Sequence, residues 1–573
     1  MATIILQAAG AFLGGIFGPI GSAIGSAAGA MAGYAIDQTL LQGHRRIEGP
    51  RLGAPRPFLA EEGQPIPRVY GTMRVGGNLI WATRFQETKT VERQGGKAGP
   101  RVTTTTYAYF GNFAFALCEG EIAGVRRIWA DGRELDLEEF NVRVYIGSED
   151  QLPDPPIAAK QDGKAPAYRG TAYVVFDHFP LGDFGNRIPQ FQFEVMRPVG
   201  ELNGQIRSVA LLPGATEYGL DPEPVTHTPS PGVTIYVNRN VLHGPTDLIA
   251  SLDELQALCP NLEEIAIVVT WFGDDLRAGH CRIRPKVTQN TALEFSEPWR
   301  VCGQVREEAE QVSYVDGVAC YGGTPSDASV VRCIQEIRRR GLRVALYPFL
   351  MMDVPSGNGL PDPHGADEQA PFPWRGRISC IPAPGSEGSP DKSAEIRDDV
   401  AAFCGSADVA DFAVEEGAIA FSGDEDDWGF RRLVLHYAGL AELAGGVDTF
   451  LIGSELRGLT TLRDADNQFP FVEALCELAA DVRSVLGSGT KITYGADWTE
   501  YFGHQPPDGS GDVFFHLDEL WAHPAVDAVG IDNYMPLADW RDEDIDGGNP
   551  DGFRLPYDID GLRSQVSAGE GFD

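Results

Sequence analysis

Acidic and aromatic residues stand directly after three short apolar runs in the second half of the chain. Leu-Ile-Gly-Ser precedes Glu455, Ile-Thr-Tyr-Gly-Ala precedes Asp497 and Trp498, and Val-Gly-Ile precedes Asp532, with Tyr534 two residues later. Retaining glycoside hydrolysis needs one carboxylic acid that protonates the leaving oxygen and one carboxylate about 5 Å away that attacks. Glu455, Asp497 and Asp532 are therefore the candidate carboxylates for such chemistry.

Each of these carboxylates has other interpretations. Glu455 could bind a ligand without catalysis, keep a vestigial role, or form an ion pair with Arg457 or another neighbour. Asp497 and Asp532 could each bind a sugar hydroxyl or cap the helix that follows. The alternatives stay open at the level of sequence.

Flat aromatic side chains near strand ends could stack on sugar rings. The candidates for this role are Trp271, Trp498, Tyr501 and Tyr534. Filling of the barrel core is the other interpretation of an aromatic residue in such a position.

The elements that position these residues read as a (β/α)8 barrel, in which reactive groups lie at the carboxyl ends of buried parallel strands. Strands are predicted over 265–272, 315–321 and 344–350 and in the three runs that end at Glu455, Asp497 and Asp532. Helices are predicted over 326–340, 395–404, 428–444, 472–486 and 559–567, from their apolar periodicity. These are six strands, so we expect strands seven and eight to lie beyond residue 573.

The segment 353–390 is rich in Pro and Gly and follows the third predicted strand. A crossover of this length is either an ordered cap over the barrel mouth or a mobile loop.

The region 47–200 has the pattern of short strands and turns that is typical of an antiparallel β domain. Segment 51–67 reads as an extended linker, 66–75 and 77–81 as two strands paired with each other, and 88–100 as a mobile polar loop. Further strands are predicted over 102–116, 122–129, 142–146, 172–176 and 190–195. The predicted organisation is an uncharged helical segment (1–46), this β domain (47–200), a linker (201–231) and an incomplete barrel (232–573). The predicted fold class is therefore a multidomain α+β and α/β protein.

Residues 1–36 carry no charged side chain, and a glycine recurs at every fourth position in Gly21, Gly25, Gly29 and Gly33. On a helix this spacing places the glycines on nearly one face, where neighbouring backbones can approach closely. We interpret the stripe as a surface that packs against identical copies in an assembly. Membrane insertion and an ordinary buried hairpin are the alternatives.

The 573 residues carry a formal charge of -36 and include nine cysteines without a CxxC pair. Such a charge repels nucleic acid and anionic membranes, so sequence-specific nucleic-acid binding is not expected. The acidity serves solubility or keeps passing DNA from adhering. Cysteines in apolar contexts indicate buried free thiols and synthesis in a reducing compartment.

One acidic run resembles the start of a calcium loop. Asp542, Asp544 and Asp546 precede Gly547, but Phe553 stands where a bidentate Glu is required. A solvated acidic turn is the preferred interpretation, and we predict neither a metal nor a cofactor. Cofactor motifs such as a P-loop or a Rossmann fingerprint do not occur in a fitting context.

Three longer phrases resemble a known family. They are Pro65 to Gly71, Phe113 to Ile122 and Tyr168 to Phe176. They are similar to the J-type, host-specificity tail-tip proteins of long-tailed phages and to the large "megatron" baseplate proteins of gene transfer agents, which carry a glycosidase-like TIM barrel beyond about residue 230.

The resemblance implies a homotrimeric component of the tail baseplate of a virion-like particle, synthesised in the bacterial cytoplasm. Its implied partners are the tail hub protein, the distal tail protein, the cell-wall peptidase and fibre proteins of the particle, and glycans of the cell envelope. The implied task is to seal or open the DNA channel and to help DNA penetrate the envelope during ejection.

The resemblance also implies a catalytic comparison. Glu455 stands where barrel glycosidases of the large retaining clan place the acid/base, but the clan has Asn where this chain has Ser454. The clan's nucleophile would follow strand seven, beyond this chain. Two hypotheses result: a structural delivery protein whose barrel binds glycans or has lost action on them, or an active retaining glycosidase that degrades peptidoglycan or surface polysaccharide.

Overall fold

A computed structural model describes residues 45–48, 65–94, 102–212, 216–291, 294–415, 417–501, 503–534, 540–545, 549 and 551–568. The chain divides into two compact units, residues 1–200 and 201–573. The predicted glycine stripe at Gly21, Gly25, Gly29 and Gly33 lies outside the described residues. Within them, no helix has the length and apolar character needed to span a bilayer.

The first unit is built of β-strands, as predicted. Its strands are β1 (Arg45–Glu48), β2 (Gly71–Gly76), β3 (Asn78–Ala82), β4 (Gln86–Gln94), β5 (Val102–Glu119), β6 (Gly124–Ala130), β7 (Arg133–Glu134), β8 (Asn141–Tyr145), β9 (Thr171–Pro180) and β10 (Phe191–Arg197), with one short helix, Pro155–Lys160. One sheet has the order β1-β5-β9-β8, with β3 and β4 also paired to β5, and a second has the order β2-β10-β6-β7. All described pairings are antiparallel except that of β1 with β5.

Phenylalanine side chains from the two sheets form the core of this unit. Phe113 and Phe115 on β5 and Phe176 on β9 meet Phe191 and Phe193 on β10, and all five are at most 3% exposed. Ring centroids of Phe113 and Phe191 lie 5.5 Å apart, and those of Phe115 and Phe193 lie 5.9 Å apart. The alternation of β5 directs one face of this strand to the core.

The prediction that 66–75 and 77–81 pair with each other is wrong. Strand β2 pairs with β10, whereas β3 pairs with β5, so the chain passes from one sheet to the other between them. Gly77 lies at this crossing, where an added Cβ would stand 2.8 Å from both Phe115 Cβ and Phe193 Cε2. The crossing therefore requires a residue without a side chain.

The prediction of a mobile loop from residue 88 is also wrong for 88–94. These residues belong to β4, which pairs with β5 from Gln86–Phe110 to Gln94–Val102. Most described side chains of β4 are exposed, so its sequence lacks an apolar alternation. The strand forms because the Thr-rich and aromatic partner strand offers a ladder of main-chain hydrogen bonds.

The second unit combines a parallel sheet with helices and small hairpins. Its strands are β11 (Ser208–Leu211), β12 (Thr226–Ser230), β13 (Val233–Tyr236), β14 (Glu264–Gly273), β15 (Ile283–Arg284), β16 (Lys286–Val287), β17 (Arg300–Val301), β18 (Gln304–Val305), β19 (Glu310–Gln311), β20 (Tyr314–Val315), β21 (Val318–Ala319), β22 (Arg343–Met352), β23 (Phe412–Glu415), β24 (Ala418–Phe421), β25 (Thr449–Ser454), β26 (Lys491–Asp497) and β27 (Gly530–Asp532). Its helices are Leu202–Gln205, Asp247–Leu258, Asp327–Arg339, Glu395–Cys404, Phe430–Leu443, Arg457–Thr460, Pro470–Leu486, Asp518–Trp521 and Ile559–Ala568.

Six strands form the parallel sheet in the order β11-β14-β22-β25-β26-β27. The predicted mixed α/β architecture with a barrel-like parallel sheet is confirmed for this unit, as are the five predicted helices, with shifts of one or two residues at their ends. The predicted strand at 315–321 is wrong, because this segment forms a hairpin of β20 and β21. Strands β14 and β22 pair directly with each other, and the sixth strand of the sheet is β11, which pairs with the other side of β14 and lies inside the range predicted as linker.

All nine cysteines are free, and eight of them are buried; Cys320 is partly exposed. This agrees with the predicted buried thiols. Burial raises the pKa of the Cys404 thiol to about 12, so this thiol stays protonated at neutral pH.

The strands β22 and β25 pair only near their starts, through Ala345 with Thr449 and Leu346 with Phe450. Toward their carboxyl ends the ladder is interrupted. The guanidinium of Arg375, from the segment 353–390, lies 3.8 Å from the ring centroid of Phe349 on β22 and donates to Ser454 O on β25 at 2.8 Å. The segment is thus an ordered cap, one of its two predicted alternatives, and its Arg375 contacts both strands.

Candidate functional site

Adjacent strands bring the predicted carboxylates to one edge of the parallel sheet. Ser454, the last residue of β25, pairs with Gly495 on β26, and Asp497 at the end of β26 pairs with Asp532 at the end of β27. Glu455 follows Ser454, and its backbone N–H donates to Gly495 O at 2.8 Å. The carboxyl ends of parallel strands meet at one edge, which explains why residues so far apart in sequence lie together.

Glu455 has a left-handed backbone conformation, with φ of +49°. Such a conformation is costly for a residue with a side chain and is held only where the surroundings determine it. The side chain is buried, with 6% of the residue exposed. The strand therefore ends in a sharp turn that directs the Glu455 carboxylate into the site.

Two residues of the cap hold the Glu455 carboxylate. The indole Nε1–H of Trp374 donates to Oε2 at 2.8 Å, and the Nη2 of Arg375 lies 3.0 Å from the same oxygen. Arg375 also donates to the Ser454 hydroxyl at 2.7 Å. Glu455 therefore forms an ion pair, which is one of its alternative interpretations. The partner is Arg375, a residue that the sequence did not identify.

Asp532 is held by a tyrosine of a third strand. The hydroxyl of Tyr347 on β22 donates to Asp532 Oδ2 at 3.0 Å. Burial, together with the negative charge of Glu455, raises the pKa of Asp532 above its usual range. Burial likewise raises the pKa of the Tyr347 hydroxyl, which therefore stays protonated and donates.

Asp497 accepts from its own turn. Its Oδ1 receives the backbone N–H of Thr499 at 3.0 Å and the Thr499 hydroxyl. The predicted alternative is a cap of the following helix, whereas here the carboxylate closes a turn after the strand.

Glu500 lies beneath this turn and was not predicted. It is 2% exposed and accepts the Thr460 hydroxyl on Oε1 at 2.6 Å and the Asp497 N–H on Oε2 at 2.7 Å. Burial raises the pKa of Glu500 to about 7, with a smaller contribution from the charge of Asp497. In the sequence, Glu500 could have been found only from its position three residues after Asp497, the carboxylate that ends β26.

The predicted aromatic residues separate into two groups. Tyr534 is 67% exposed, and the partial burial of its hydroxyl, together with the negative charges of Glu455 and Asp532, raises the pKa of this hydroxyl. Trp498 and Tyr501 are half-buried in the turn after β26. All three follow a strand that ends in a predicted carboxylate.

The prediction that Trp271 binds sugar is wrong, because the side chain is fully buried. Trp271 shares its face of β14 with Ile265, Ile267 and Val269, and its ring lies 5.5 Å from that of His436 in the helix Phe430–Leu443. The period of two along the strand directs it to the covering helices and away from the strand ends.

The cap residue Trp374 is the aromatic side chain that sequence reasoning missed. It lies in a Pro- and Gly-rich segment, 40% exposed, and contacts Glu455 from a distance of 81 residues along the chain. Tyr347 was missed for a different reason, because it belongs to an apolar strand. In the sequence, the hydroxyl of Tyr347 inside an otherwise apolar strand was the one feature that could have indicated a role at the site.

The acidic run near the end of the chain forms a turn. Asp542–Asp544 is a single 3-10 turn in which Asp544 Oδ2 accepts the Arg541 N–H at 2.8 Å. Asp546 and Gly547 lie outside the described residues. Within the described part of the chain, no group of three or more His, Cys, Asp or Glu side chains is arranged to hold a metal ion.

Residues 428–573 match the family model described as GTA TIM-barrel-like domain. The predicted resemblance to gene transfer agent proteins is confirmed. The match includes the strands that carry Glu455, Asp497 and Asp532.

Solved structures with similarity include a chain of the "Virion of native gene transfer agent (GTA) particle". This chain is 41% identical, the similarity covers 36% of the present chain and 44% of the other, and the TM-score is 0.22. The chain described here thus spans less than half the length of this relative.

Two glycoside hydrolase structures are also similar. A GH113 β-1,4-mannanase shows 14% identity over 51% of this chain and 58% of its own, with a TM-score of 0.26. The GH113 β-mannanase AaManA from Alicyclobacillus acidocaldarius shows 16% identity over 54% and 57%, with a TM-score of 0.23. No curated protein matches this chain.

Proposed function

We propose that this protein is a structural component of a gene transfer agent-like particle, placed in the tail baseplate, and that its barrel-like unit binds a glycan of the cell envelope during DNA delivery. The match of residues 428–573 to the GTA TIM-barrel-like domain carries the proposal. In this proposal the β-sheet unit that precedes it serves as the scaffold. Homotrimer formation and contacts with the hub, distal tail, peptidase and fibre proteins belong to the same proposal.

Glycan binding without cleavage is favoured by the state of the carboxylates. Glu455 shares one oxygen between Trp374 and Arg375, Asp532 accepts from Tyr347, and Asp497 accepts from Thr499. A retaining hydrolase needs an acid that releases its proton to the leaving oxygen and a second carboxylate free to attack. Side chains held in this way are better suited to orient sugar hydroxyls.

Particle association tests the main proposal. The full-length protein is tagged in a strain that produces such particles, and the lysate is separated on a density gradient. We expect the tag to sediment with the particles and to disappear from those fractions in a strain that lacks the capsid protein. A tag that stays in the soluble fractions of both strains would contradict the proposal.

Hydrolysis is tested separately on purified peptidoglycan. We expect the full-length protein to bind the sacculi and to release no reducing ends above the level of a heat-denatured sample. Release of reducing ends that is lost in Glu455→Gln would establish the alternative of an active glycosidase.

A further inference from the structure

Two helices of the second unit line an open groove with a volume of about 670 Å³. They are the helices Glu395–Cys404 and Pro470–Leu486. Each contributes side chains at three- and four-residue spacing, which include Arg397, Ala401, Cys404, Pro470, Ala474 and Glu477. Residues at this spacing share one face of a helix, so the groove runs along both helices.

Small apolar side chains form the floor of the groove. Ala401, Ala474 and Ala480 line it, and alanine occupies less space than any other apolar side chain. Val400 and Cys404 also line it, are 3% and 6% exposed, and belong to the hydrophobic core of the unit. The groove therefore offers apolar surface and room for the side chains of a partner, within the size range of binding pockets.

Two arginines line the groove, and both are already paired. Arg397 forms ion pairs with Asp464 at 2.7 Å and with Glu473 at 2.9 Å. Arg431 forms an ion pair with Asp481 at 2.5 Å. These carboxylates neutralise both cations, so the groove is not suited to an anionic partner.

Two further carboxylates of the groove are not neutralised. Glu477 and Asp408 line it and are exposed, and neither has an ion-pair partner among the residues that the structure describes. The 33 residues between Arg397 and Arg431, some of which border the groove, include ten Asp or Glu and no Lys or Arg. The groove is therefore apolar at its floor and negative at its rim.

The charge of the chain is divided unequally between the two units. Residues 1–200 contain 20 basic and 20 acidic side chains, whereas residues 201–573 contain 26 basic and 62 acidic ones. The whole formal charge of -36 thus belongs to the second unit. Such a field attracts a cationic partner and repels an acidic one, which includes the same unit of a second copy.

We propose that this groove docks a basic amphipathic helix of another protein of the particle. The apolar face of that helix packs on the alanine floor, and its Lys or Arg side chains pair with Glu477 and Asp408, as in other complexes in which a helix fills a groove. The inference rests on the proposed role as a particle component and adds a surface and the chemistry of its partner.

Binding of synthetic peptides to the purified full-length protein tests the groove. The first peptide, of about 18 residues, is built of Lys and Leu with Leu at i, i+3, i+4 and i+7. The second has the same composition in an order without an apolar face, and the third has Gln in place of Lys. Calorimetry at about 0.15 M salt should show saturable binding of the first peptide alone. No binding of the first, or equal binding of either other peptide, would overturn the inference.

Filling the groove gives a matched pair of variants. Ala401 lines the groove, whereas the adjacent Ala402 is also exposed but does not line it. We expect Ala401→Trp to weaken binding of the first peptide by about ten-fold and Ala402→Trp to stay within about two-fold of the wild type. Equal affinities of the two variants would place the peptide elsewhere on the acidic unit and refute the groove.

Charge reversal tests the rim in the same way. Glu477→Lys should weaken binding of the first peptide by about five-fold at about 0.15 M salt, and this effect should shrink at about 1 M salt. Glu442 is exposed on the helix Phe430–Leu443 and does not line the groove, so Glu442→Lys is the control. Equal losses in both variants would mean that overall charge binds the peptide, which contradicts the proposal. Thermal melting shows whether each variant is folded.

Two further measurements separate the remaining outcomes. A dimer in sedimentation velocity that Ala401→Trp dissociates would show that a second copy fills the groove, and this would overturn the inference. Particle association of the wild type is measured independently of the peptides. Protein that enters particles but binds no peptide refutes only the docking groove, whereas protein that binds the peptide but stays outside the particles refutes the proposed function.

Discussion

Glu455 combines a strained backbone with a carboxylate that two side chains hold through one oxygen. Its φ of +49° is maintained by the N–H bond to Gly495 and by the side-chain contacts with Trp374 and Arg375. Strained residues of this kind collect at functional sites, because only a dense set of contacts can hold them. The strain therefore supports the assignment of a function to this strand end.

Substitution of Arg375 should show how much its ion pair with Glu455 contributes to the free energy of unfolding. Both side chains are more than nine-tenths buried, so Arg375→Met would leave the Glu455 charge with the Trp374 N–H but without a cationic partner. We expect the free energy of unfolding to fall by about 3–5 kcal/mol at pH 7, measured by urea denaturation.

A double-mutant cycle identifies the source of that loss. In a Glu455→Gln background, Arg375→Met should cost clearly less, because no charge is left unpaired. Equal costs in the two backgrounds would show that the packing of Arg375 on Phe349, rather than the ion pair, matters.

Glu500 predicts a measurable pH dependence of stability. Its pKa is raised from 4.5 to about 7, so the folded protein binds this proton more tightly than the unfolded chain does. The free energy of unfolding should therefore decrease as pH rises from about 5 to 8, by about 3 kcal/mol for this group. Glu500→Gln should remove this part of the dependence.

The comparison is made on the difference between the two proteins at each pH, so that other titrating groups cancel. In the variant the amide oxygen can still accept from the Asp497 N–H, and the NH2 can donate to the Thr460 hydroxyl. A constant difference from pH 5 to pH 8 would be inconsistent with a raised pKa.

At the scale of elements, the crossing between the two sheets of the first unit depends on Gly77. Gly77→Ala should lower the free energy of unfolding by about 1–3 kcal/mol, because its Cβ would overlap Phe115 and Phe193. Chemical denaturation of the full-length protein, followed by the near-ultraviolet signal of this aromatic core, measures the effect.

Gly76 is the matched control for this substitution. An added Cβ there meets nothing within 4 Å, and it precedes Gly77 directly. Gly76→Ala should change stability by less than about 0.5 kcal/mol. Similar losses at both positions would indicate that backbone flexibility, and not the overlap, controls the crossing.

The cap is the second element on which the site depends. Gln369 is fully buried, accepts the Leu276 N–H at 2.8 Å and donates to Asp275 at 2.7 Å. At Gly458 an added Cβ would lie 2.3 Å from Ile378 O, so the cap also packs closely on the turn after β25. These contacts hold Trp374 and Arg375 in place without any help from a ligand.

At the scale of the whole molecule, the formal charge of -36 makes a prediction about DNA. Binding of nucleic acid relies on neutralising phosphates with cationic side chains, and here acidic residues outnumber basic ones. We expect no retardation of linear double-stranded DNA in a gel shift at about 0.15 M salt. A saturable shift would contradict the view that the acidity keeps passing DNA from adhering.

The amino-acid sequence determined the elements that depend on local pattern. The apolar runs before Glu455, Asp497 and Asp532 and the periodic helices predicted the parallel sheet and the edge at which its carboxylates lie. These signals are local, because strand burial and helix amphipathicity repeat every two or 3.6 residues. The glycine stripe of the N-terminal segment remains a prediction.

Only the tertiary structure decided which distant segments meet. It removed the predicted strand at 315–321 from the sheet and added β11 at the edge beside β14, separated β2 from β3 into different sheets, turned Trp271 toward the helices, and brought Trp374 and Arg375 onto Glu455. These outcomes depend on pairing and packing between residues tens of positions apart. Local composition does not encode such pairings, because their free energy comes from partners that the chain meets only when it folds.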